Sequence, residues 1–122
     1  MRNLFFILTI LYSFSSCSQD TKKSRLISQK EFTKISTKQL QLLDVRTPEE
    51  YHQGFIDGAI LINFFDADFV KKVNSTFDKN KPLYLYCAAG GRSNKAIVKL
   101  LLDGFDEVYD LKGGYRGWKK NK

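Results

Sequence analysis

The segment around Cys87 limits the choice of fold more than any other part of this chain. An apolar strand pattern at Leu83–Tyr86 runs directly into a loop from Cys87 to Ser93, and apolar residues then recur at helical spacing up to Gly104. Gly90 and Gly91 let the backbone turn tightly between the two elements. A strand that feeds a helix through so short a loop predicts an α/β fold.

The same alternation of patterns extends along the chain. Further strand patterns lie at 39–45, 59–63 and 107–111, and further helix patterns lie at 28–35, 47–54 and 66–77. Strands that alternate with helices predict a parallel sheet covered by helices on both faces. In such sheets the site lies at the carboxyl ends of the strands, where Asp44, Arg46 and Cys87 fall.

Residues 1–16 have the pattern of a secretory signal. Arg2 precedes an apolar run of about ten residues, and a membrane-spanning helix needs about 20. Ser15 and Ser16, directly before Cys17, resemble the lipobox of bacterial lipoproteins, in which the cysteine is acylated. We therefore expect export to the cell envelope, on the periplasmic side, with Cys17 lipidated and anchored to a membrane. The alternative is plain cleavage near Ser15 or Ser16.

A polar segment separates this signal from the apolar patterns. Residues 17–25 lack periodicity and are predicted to form the lipidated cysteine and a flexible tether, which leaves 26–122 as one domain. Lys22, Lys23 and Arg25 would lie against anionic lipid headgroups or, alternatively, be solvated.

The net charge of +7 does not point to a nucleic acid. Residues 21–38 carry +5 and residues 112–122 carry +5, whereas residues 39–111 carry −3. The middle of the chain therefore lacks the basic stripe that would neutralise phosphates, and we expect no nucleic-acid partner. Two cysteines and one histidine cannot supply a finger-type zinc site, and no metal is expected.

The loop after the third strand pattern favours a reactive cysteine. Gly90 and Gly91 allow successive N–H groups to curl inward as an anion-binding nest, and the start of a helix and Arg92 add positive potential. Such surroundings stabilise a thiolate, the nucleophilic form of cysteine, and no general base is then needed. The alternative is that Cys87 is a buried and inert core residue.

Four segments of the chain also resemble a known family. Leu43–Tyr51, Gly54–Ile60, Cys87–Ser93 and Leu111–Trp118 are similar, in order and in spacing, to the motifs of single-domain rhodaneses. The resemblance covers nearly all of residues 26–120. It implies a five-stranded, mainly parallel sheet flanked by helices, and sulfur transfer through a cysteine persulfide.

The resemblance also implies roles for individual residues. Cys87 would carry the sulfur, and Asp44 and Arg46 would support the site. Arg92 would hold the loop and attract an anionic donor such as thiosulfate; the acceptor would be cyanide, a thiol or a partner protein. The residues whose amides would cradle the persulfide are Ala88, Ala89, Gly90, Gly91, Arg92 and Ser93. No organic cofactor is implied, and we expect a monomer.

Two positions depart from the family pattern. Phe55 stands where these proteins usually have histidine, and Asp57 stands where proline is common. Because both lie in a predicted turn, we expect altered packing rather than lost chemistry. Arg116 is a further candidate for the rim of the site.

Three other functions remain open at this stage. Cysteine phosphatases and arsenate reductases place a thiolate in a Cys-x5-Arg loop, whereas Cys87 and Arg92 are separated by four residues. The tighter loop suits a single sulfur atom better than a tetrahedral oxyanion. The remaining alternatives are a binding module without catalysis and a redox sensor based on Cys87.

Overall fold

Strands and helices alternate along the protein, which is described by a computed structural model covering residues 22–35 and 37–122. The strands are β1 (Lys23–Ile27), β2 (Gln41–Asp44), β3 (Ile60–Leu61), β4 (Leu83–Tyr86) and β5 (Glu107–Leu111). The helices are α1 (Gln29–Thr33), α2 (Pro48–His52), α3 (Phe69–Thr76), α4 (Gly91–Leu102) and α5 (Gly114–Lys120). A 3-10 turn at Thr37–Gln39 precedes β2.

The five strands form one sheet in the order β1-β5-β4-β2-β3. Every pairing is parallel, so the predicted five-stranded α/β sheet is confirmed, and it is all-parallel rather than mainly parallel. Because all strands run the same way, their carboxyl ends meet at one edge, where β4 delivers Cys87 and β2 delivers Asp44.

Both faces of the sheet are buried under helices. On one face, α3 and α4 pack over a cluster that contains Leu43, Leu85 and Val108. On the other face, α1 and α5 cover a cluster that contains Ile27, Leu42 and Tyr86, against which Trp118 packs. Successive residues of a strand point to opposite faces, which explains why Leu42 and Leu43 belong to different clusters.

The capping patterns explain where two helices begin. Thr47 and Glu50 form a complete capping box at α2, with Pro48 at the first helical turn. At α1 the Ser28 hydroxyl accepts a hydrogen bond from the Glu31 amide, but the Glu31 carboxylate pairs with Arg25 instead of closing the box.

The predicted tether is wrong over its last three residues. Residues 23–25 belong to β1, which pairs in parallel with β5 from Lys23 opposite Glu107 to Ile27 opposite Leu111. Four of the five residues of β1 are exposed, so this edge strand has no apolar alternation for a sequence pattern to detect. The predicted signal 1–16 and the lipidated Cys17 lie outside the described residues.

The strands predicted at 83–86 and 107–111 are confirmed with those bounds, whereas other predicted elements are present but shorter. The strand predicted at 39–45 spans Gln41–Asp44, the strand at 59–63 spans Ile60–Leu61, and the helix at 66–77 spans Phe69–Thr76. Within residues 22–35 and 37–122, no helix is both long enough and apolar enough to span a membrane. The same residues contain no group of three His, Cys, Asp or Glu side chains placed to hold a metal ion.

Candidate active site

Cys87 lies between the end of β4 and the start of α4, and its side chain is 1% exposed. The Gly90 amide donates a hydrogen bond to the Cys87 Sγ over 2.9 Å. The Cys87 thiol lies 3.4 Å from the Ser93 Oγ, to which it donates, and the Ser93 hydroxyl donates to the Gly90 carbonyl over 3.0 Å. Gly90 and Ser93 therefore hold the sulfur from two sides.

Gly90 has a backbone conformation that the loop needs. Its φ is +135°, a region that side-chain-bearing residues rarely adopt, and it directly precedes the first turn of α4. This turn points its own amide at the sulfur and brings the N-terminal end of the twelve-residue helix α4 close to it. The positive end of the helix dipole favours a negatively charged sulfur.

The start of α5 fixes the loop from behind. The Tyr115 amide donates to the Cys87 carbonyl over 2.8 Å, and the Arg116 amide donates to the Ala88 carbonyl over 3.1 Å. Gly114 is required here, because a Cβ on it would lie 2.5 Å from the Cys87 carbonyl oxygen. These bonds fix the direction of two loop carbonyls.

The six residues predicted to cradle a persulfide surround Cys87 as one loop and helix start. Among the described residues, only the Gly90 amide and the Ser93 hydroxyl are hydrogen-bonded to the Sγ itself. The other five amides, of Ala88, Ala89, Gly91, Arg92 and Ser93, make no such bond to the Sγ. Their role toward an outer sulfur atom stays a prediction.

Arg92 is held by a residue that the sequence interpretation did not single out. Its guanidinium donates two hydrogen bonds to the Glu50 carboxylate, with nitrogen–oxygen distances of 2.5 and 2.9 Å. The hydrogen bond from Arg92 lowers the pKa of Glu50 to about 2, and the pKa of Arg92 is raised by the same bond. The ion pair ties the first turn of α4 to α2, and Glu50 neutralises much of the charge that was expected to attract a donor. The predicted role of Arg92 toward a donor stays a prediction.

Asp44 and Arg46 are structural rather than part of the wall around Cys87. They form a buried ion pair in which the Arg46 side chain is 3% exposed and the Asp44 side chain 0%. Arg46 also donates to the Gly54 carbonyl over 2.7 Å and lies over the Tyr115 ring, 4.1 Å from its centroid. The pair connects the end of β2 to the turn after α2 and to α5.

The two positions that depart from the family pattern, Phe55 and Asp57, are both exposed. Phe55 stacks on Tyr51 with ring centroids 4.1 Å apart.

A pocket of about 380 Å³ opens over the Cys87 loop. Phe64 and Phe65 line it, and so do two cations, Lys95 and Arg116, which have no acidic partner among the described residues. Arg116 thus lies at the rim as predicted. Lys95 and the two phenylalanines were not predicted, because nothing in their spacing marks them; only the topology brings their segments together. The other residues that line the pocket are Cys87, Ala88, Ala89, Gly91 and Arg92.

Comparison with known proteins agrees with this geometry. The family model of the rhodanese-like domain matches residues 28–121. The chain belongs to the rhodanese-like domain family. This rhodanese-like domain is 42% identical over 88 residues to thiosulfate sulfurtransferase 16 of Arabidopsis thaliana, covering 65% of this chain and 73% of that protein.

Two further similarities concern bacterial proteins. The chain is 35% identical over 82 residues to the thiosulfate sulfurtransferase GlpE of Shewanella oneidensis, covering 66% of this chain and 77% of that protein. It superposes on the crystal structure of a rhodanese-like domain protein from Staphylococcus aureus with a TM-score of 0.67 at 33% identity, covering 77% of this chain and 90% of that chain. The rhodanese-like domain therefore has relatives named for sulfur transfer.

Proposed function

We propose that this protein is a sulfurtransferase that moves a sulfane sulfur from an anionic donor such as thiosulfate to a nucleophilic acceptor through a persulfide on Cys87. The observation that carries the proposal is the position of the sulfur. The Cys87 Sγ accepts the Gly90 amide at the N-terminal end of α4 and borders an open pocket. Family membership and relatives named thiosulfate sulfurtransferase support it.

In the first half of the cycle, the Cys87 thiolate attacks the outer sulfur of thiosulfate. A bond forms between the two sulfurs, and the bond between the outer sulfur and the sulfonate group breaks. The electron pair of that bond leaves with sulfite, so no external oxidant or reductant is needed. The persulfide that remains is negatively charged, and the Gly90 amide and the α4 N-terminus are positioned to stabilise that charge.

In the second half, a nucleophilic acceptor attacks the outer sulfur of the persulfide. The sulfur–sulfur bond breaks, and the electron pair returns to Cys87 as a thiolate. Cyanide would leave as thiocyanate, and a thiolate acceptor would leave as a new persulfide. The enzyme is thereby restored in a two-step transfer without a bound cofactor.

The charges at the pocket favour an anionic donor. Arg92 is neutralised by Glu50, whereas Lys95 and Arg116 have no acidic partner among the described residues. These two cations are therefore better placed than Arg92 to attract the sulfonate end of thiosulfate. Phe64 and Phe65 supply the aromatic part of the pocket lining.

Intact-mass measurement after incubation with thiosulfate tests the proposal. In the full chain carrying Cys17→Ser, Cys87 is the single thiol. This protein should gain one sulfur atom, and cyanide should remove it with release of thiocyanate. The matched Cys17→Ser, Cys87→Ser protein should gain none. If the protein that retains Cys87 takes up no sulfur, the sulfurtransferase proposal fails.

The same preparation tests the rival proposal that the protein is a cysteine phosphatase. Arg92 forks onto Glu50, which leaves it turned toward a carboxylate of its own chain rather than toward an oxyanion. We therefore expect no hydrolysis of an aryl phosphate. Hydrolysis of that substrate by the protein that retains Cys87, without sulfur uptake, would favour the phosphatase class instead.

We also propose that the protein is exported and anchored by lipid at Cys17, on the sequence pattern of residues 1–17. Cells that express the full chain should incorporate labelled palmitate into it, and Cys17→Ser should abolish the label. A chain with intact Cys17 that acquires no label would overturn the anchor.

A further inference from the structure

Asp110 is a buried carboxyl group on the same face of the sheet as Cys87. It is 1% exposed and lies in β5, where it pairs with Leu85 of β4, two residues before Cys87. Because alternate residues of a strand share a face, the side chains of Leu85, Cys87 and Asp110 all point toward α4. Ser93, on the buried side of α4, lies in the same layer.

The Asp110 carboxylate has little to stabilise its charge. Among the described residues, neither oxygen has a hydrogen-bond partner in the observed arrangement. Burial raises the pKa of Asp110 to about 6, and the Ser93 hydroxyl beside it is the one polar group that acts in the opposite direction. A buried carboxyl group without a hydrogen-bond partner is rare in folded proteins and needs a physical explanation.

The groups around Asp110 leave Cys87 as its titratable neighbour on this face. The buried side chains of α4 are Ser93, Ala96, Ile97 and Leu100, all uncharged. The charged side chains of α4 are engaged elsewhere: Arg92 with Glu50, Lys95 at the pocket and Lys99 over the Phe64 ring. On β1, Leu26 pairs with Asp110 and Arg25 is bonded to Glu31. On β4, Tyr84 and Tyr86 pack into the cluster on the opposite face.

Ser93 is the polar residue that lies beside both groups, and its hydroxyl is not hydrogen-bonded to Asp110 in the observed arrangement. Its Oγ accepts the Cys87 thiol over 3.4 Å, and its own proton is given to the Gly90 carbonyl over 3.0 Å. A rotation about the Ser93 Cβ–Oγ bond would turn that proton from Gly90 to Asp110. We propose that Asp110 is a positioning residue that exchanges a proton with Cys87 through the Ser93 hydroxyl, so that the two groups share one negative charge.

The exchange balances without any other reactant. The Cys87 S–H bond breaks and its proton passes to the Ser93 oxygen, while the Ser93 proton passes to a carboxylate oxygen of Asp110. A thiol beside a carboxylate becomes a thiolate beside a carboxylic acid, and the total charge stays at one negative. Neutral Asp110 then spares the thiolate the repulsion of a second buried anion. The catalytic value of this exchange rests on the proposed function, in which that thiolate is the nucleophile.

The pH dependence of Cys87 alkylation by iodoacetamide tests the exchange. In the full chain carrying Cys17→Ser, the rate reports the thiolate whether or not sulfur can be transferred. A shared proton predicts a parent profile that rises in two steps, because a first fraction of thiolate forms beside neutral Asp110 and the rest forms only against a second negative charge. Asp110→Asn should rise in one step near the first of these, since the like charge has been removed. A parent profile with a single step that Asp110→Asn merely moves to lower pH would show repulsion without proton exchange and would overturn the proposal.

Asp106→Asn is the matched control. It removes the same charge just before β5, at the opposite end of the strand from the Cys87 loop, and should leave the profile unchanged. If Asp110→Asn gives the same profile as the parent protein and Asp106→Asn, the proposal is overturned.

A second measurement does not depend on an Asp110 variant. Carbon NMR should show the Asp110 carboxyl titrating in two steps when Cys87 is present, the second at the pH where the thiol ionises. In Cys87→Ser it should titrate in one step, because coupling between two sites is reciprocal. Single-step curves in both proteins would contradict the exchange. Sulfur uptake without coupling would support the proposed function and contradict this inference. Coupling without sulfur uptake would support this inference and contradict the proposed function.

Discussion

The reacting atom is buried, and this restricts how a substrate can reach it. The Cys87 side chain is 1% exposed, so only the pocket side of the sulfur is available for attack. The other side is occupied by the Gly90 amide and the Ser93 hydroxyl. A persulfide would therefore project its outer sulfur into the pocket, between the aromatic wall and the two cations.

Gly114 is the residue at which the smallest change should have the largest effect. In Gly114→Ala the new Cβ would lie 2.5 Å from the Cys87 carbonyl oxygen and 2.7 Å from that of Ala88, at a φ of +58°. We expect the free energy of unfolding, measured by urea denaturation, to fall by about 1–3 kcal/mol. Sulfur uptake should fall as well, because the loop carbonyls must move. Gly91→Ala, where a Cβ meets nothing within 4 Å, should not lower stability; an equal loss in both would contradict this assignment.

Lys95 and Arg116 should determine the affinity for the anionic donor. Their replacement, Lys95→Gln or Arg116→Gln, removes a charge that is exposed at the pocket and has no acidic partner among the described residues. Because exposed charges contribute about 0.2–1 kcal/mol, each should raise the KM for thiosulfate about 1.4- to five-fold with little change in kcat. Lys30→Gln, an exposed position on α1, is the matched control. A fall in kcat at unchanged KM would show that these cations act on the reaction step instead.

At the scale of elements, one ion pair joins α2 to the helix that carries the site. The Glu50 carboxylate completes the capping box of α2 and also forms an ion pair with Arg92, in the first turn of α4. The two helices belong to different crossover units, so this contact fixes the Cys87 loop relative to a distant part of the chain.

Glu50→Gln should make that connection measurable as a function of pH. The pKa of Glu50 is lowered to about 2, so its contribution to stability is fully present above its ordinary value of 4.5 and is lost as the pH falls toward 2. We expect Glu50→Gln to lower the free energy of unfolding by about 1 kcal/mol at neutral pH. The value is small because the ion pair is partly exposed to solvent. The difference should vanish in acid. Glu49→Gln, exposed on the same helix, is the control; a difference that persists unchanged down to pH 2 would exclude this ion pair as its cause.

The elements that could be predicted from the sequence are those whose signals are local. The capping residues of α2, the glycines at the start of α4 and the apolar patterns of β2, β4 and β5 each depend on neighbours in the chain. The strand β1 was missed because its stability comes from pairing with β5 along one edge, which leaves no pattern in its own residues.

The candidate site divides in the same way. Cys87 and its glycine loop are recognisable in one stretch of sequence, but the partners that complete the site come from distant segments. Glu50 is 42 residues from Arg92, and Asp110 meets Leu85 only through strand pairing. No periodicity or spacing predicts such contacts before the topology is known.

At the scale of the whole molecule, the folding unit extends beyond the family match. The match begins at residue 28, whereas the sheet begins with β1 at Lys23. Ile27, which is 1% exposed, belongs to the core, and β1 covers the outer edge of β5. The basic residues of this segment are consequently part of the domain: Arg25 pairs with Glu31, and Lys22 donates to the Leu101 carbonyl over 2.6 Å.

Truncation tests where the domain begins. A chain of residues 28–122 loses the burial of Ile27 and exposes the edge of β5. Its free energy of unfolding should therefore be lower than that of the full chain by about 2 kcal/mol or more. Because an unpaired edge strand offers free N–H and C=O groups, the same chain should also self-associate in light scattering. A chain of residues 22–122 keeps β1 and should match the stability of the full chain measured by urea denaturation. If the two truncated chains have the same free energy of unfolding and the same light scattering, β1 contributes nothing to the folded unit.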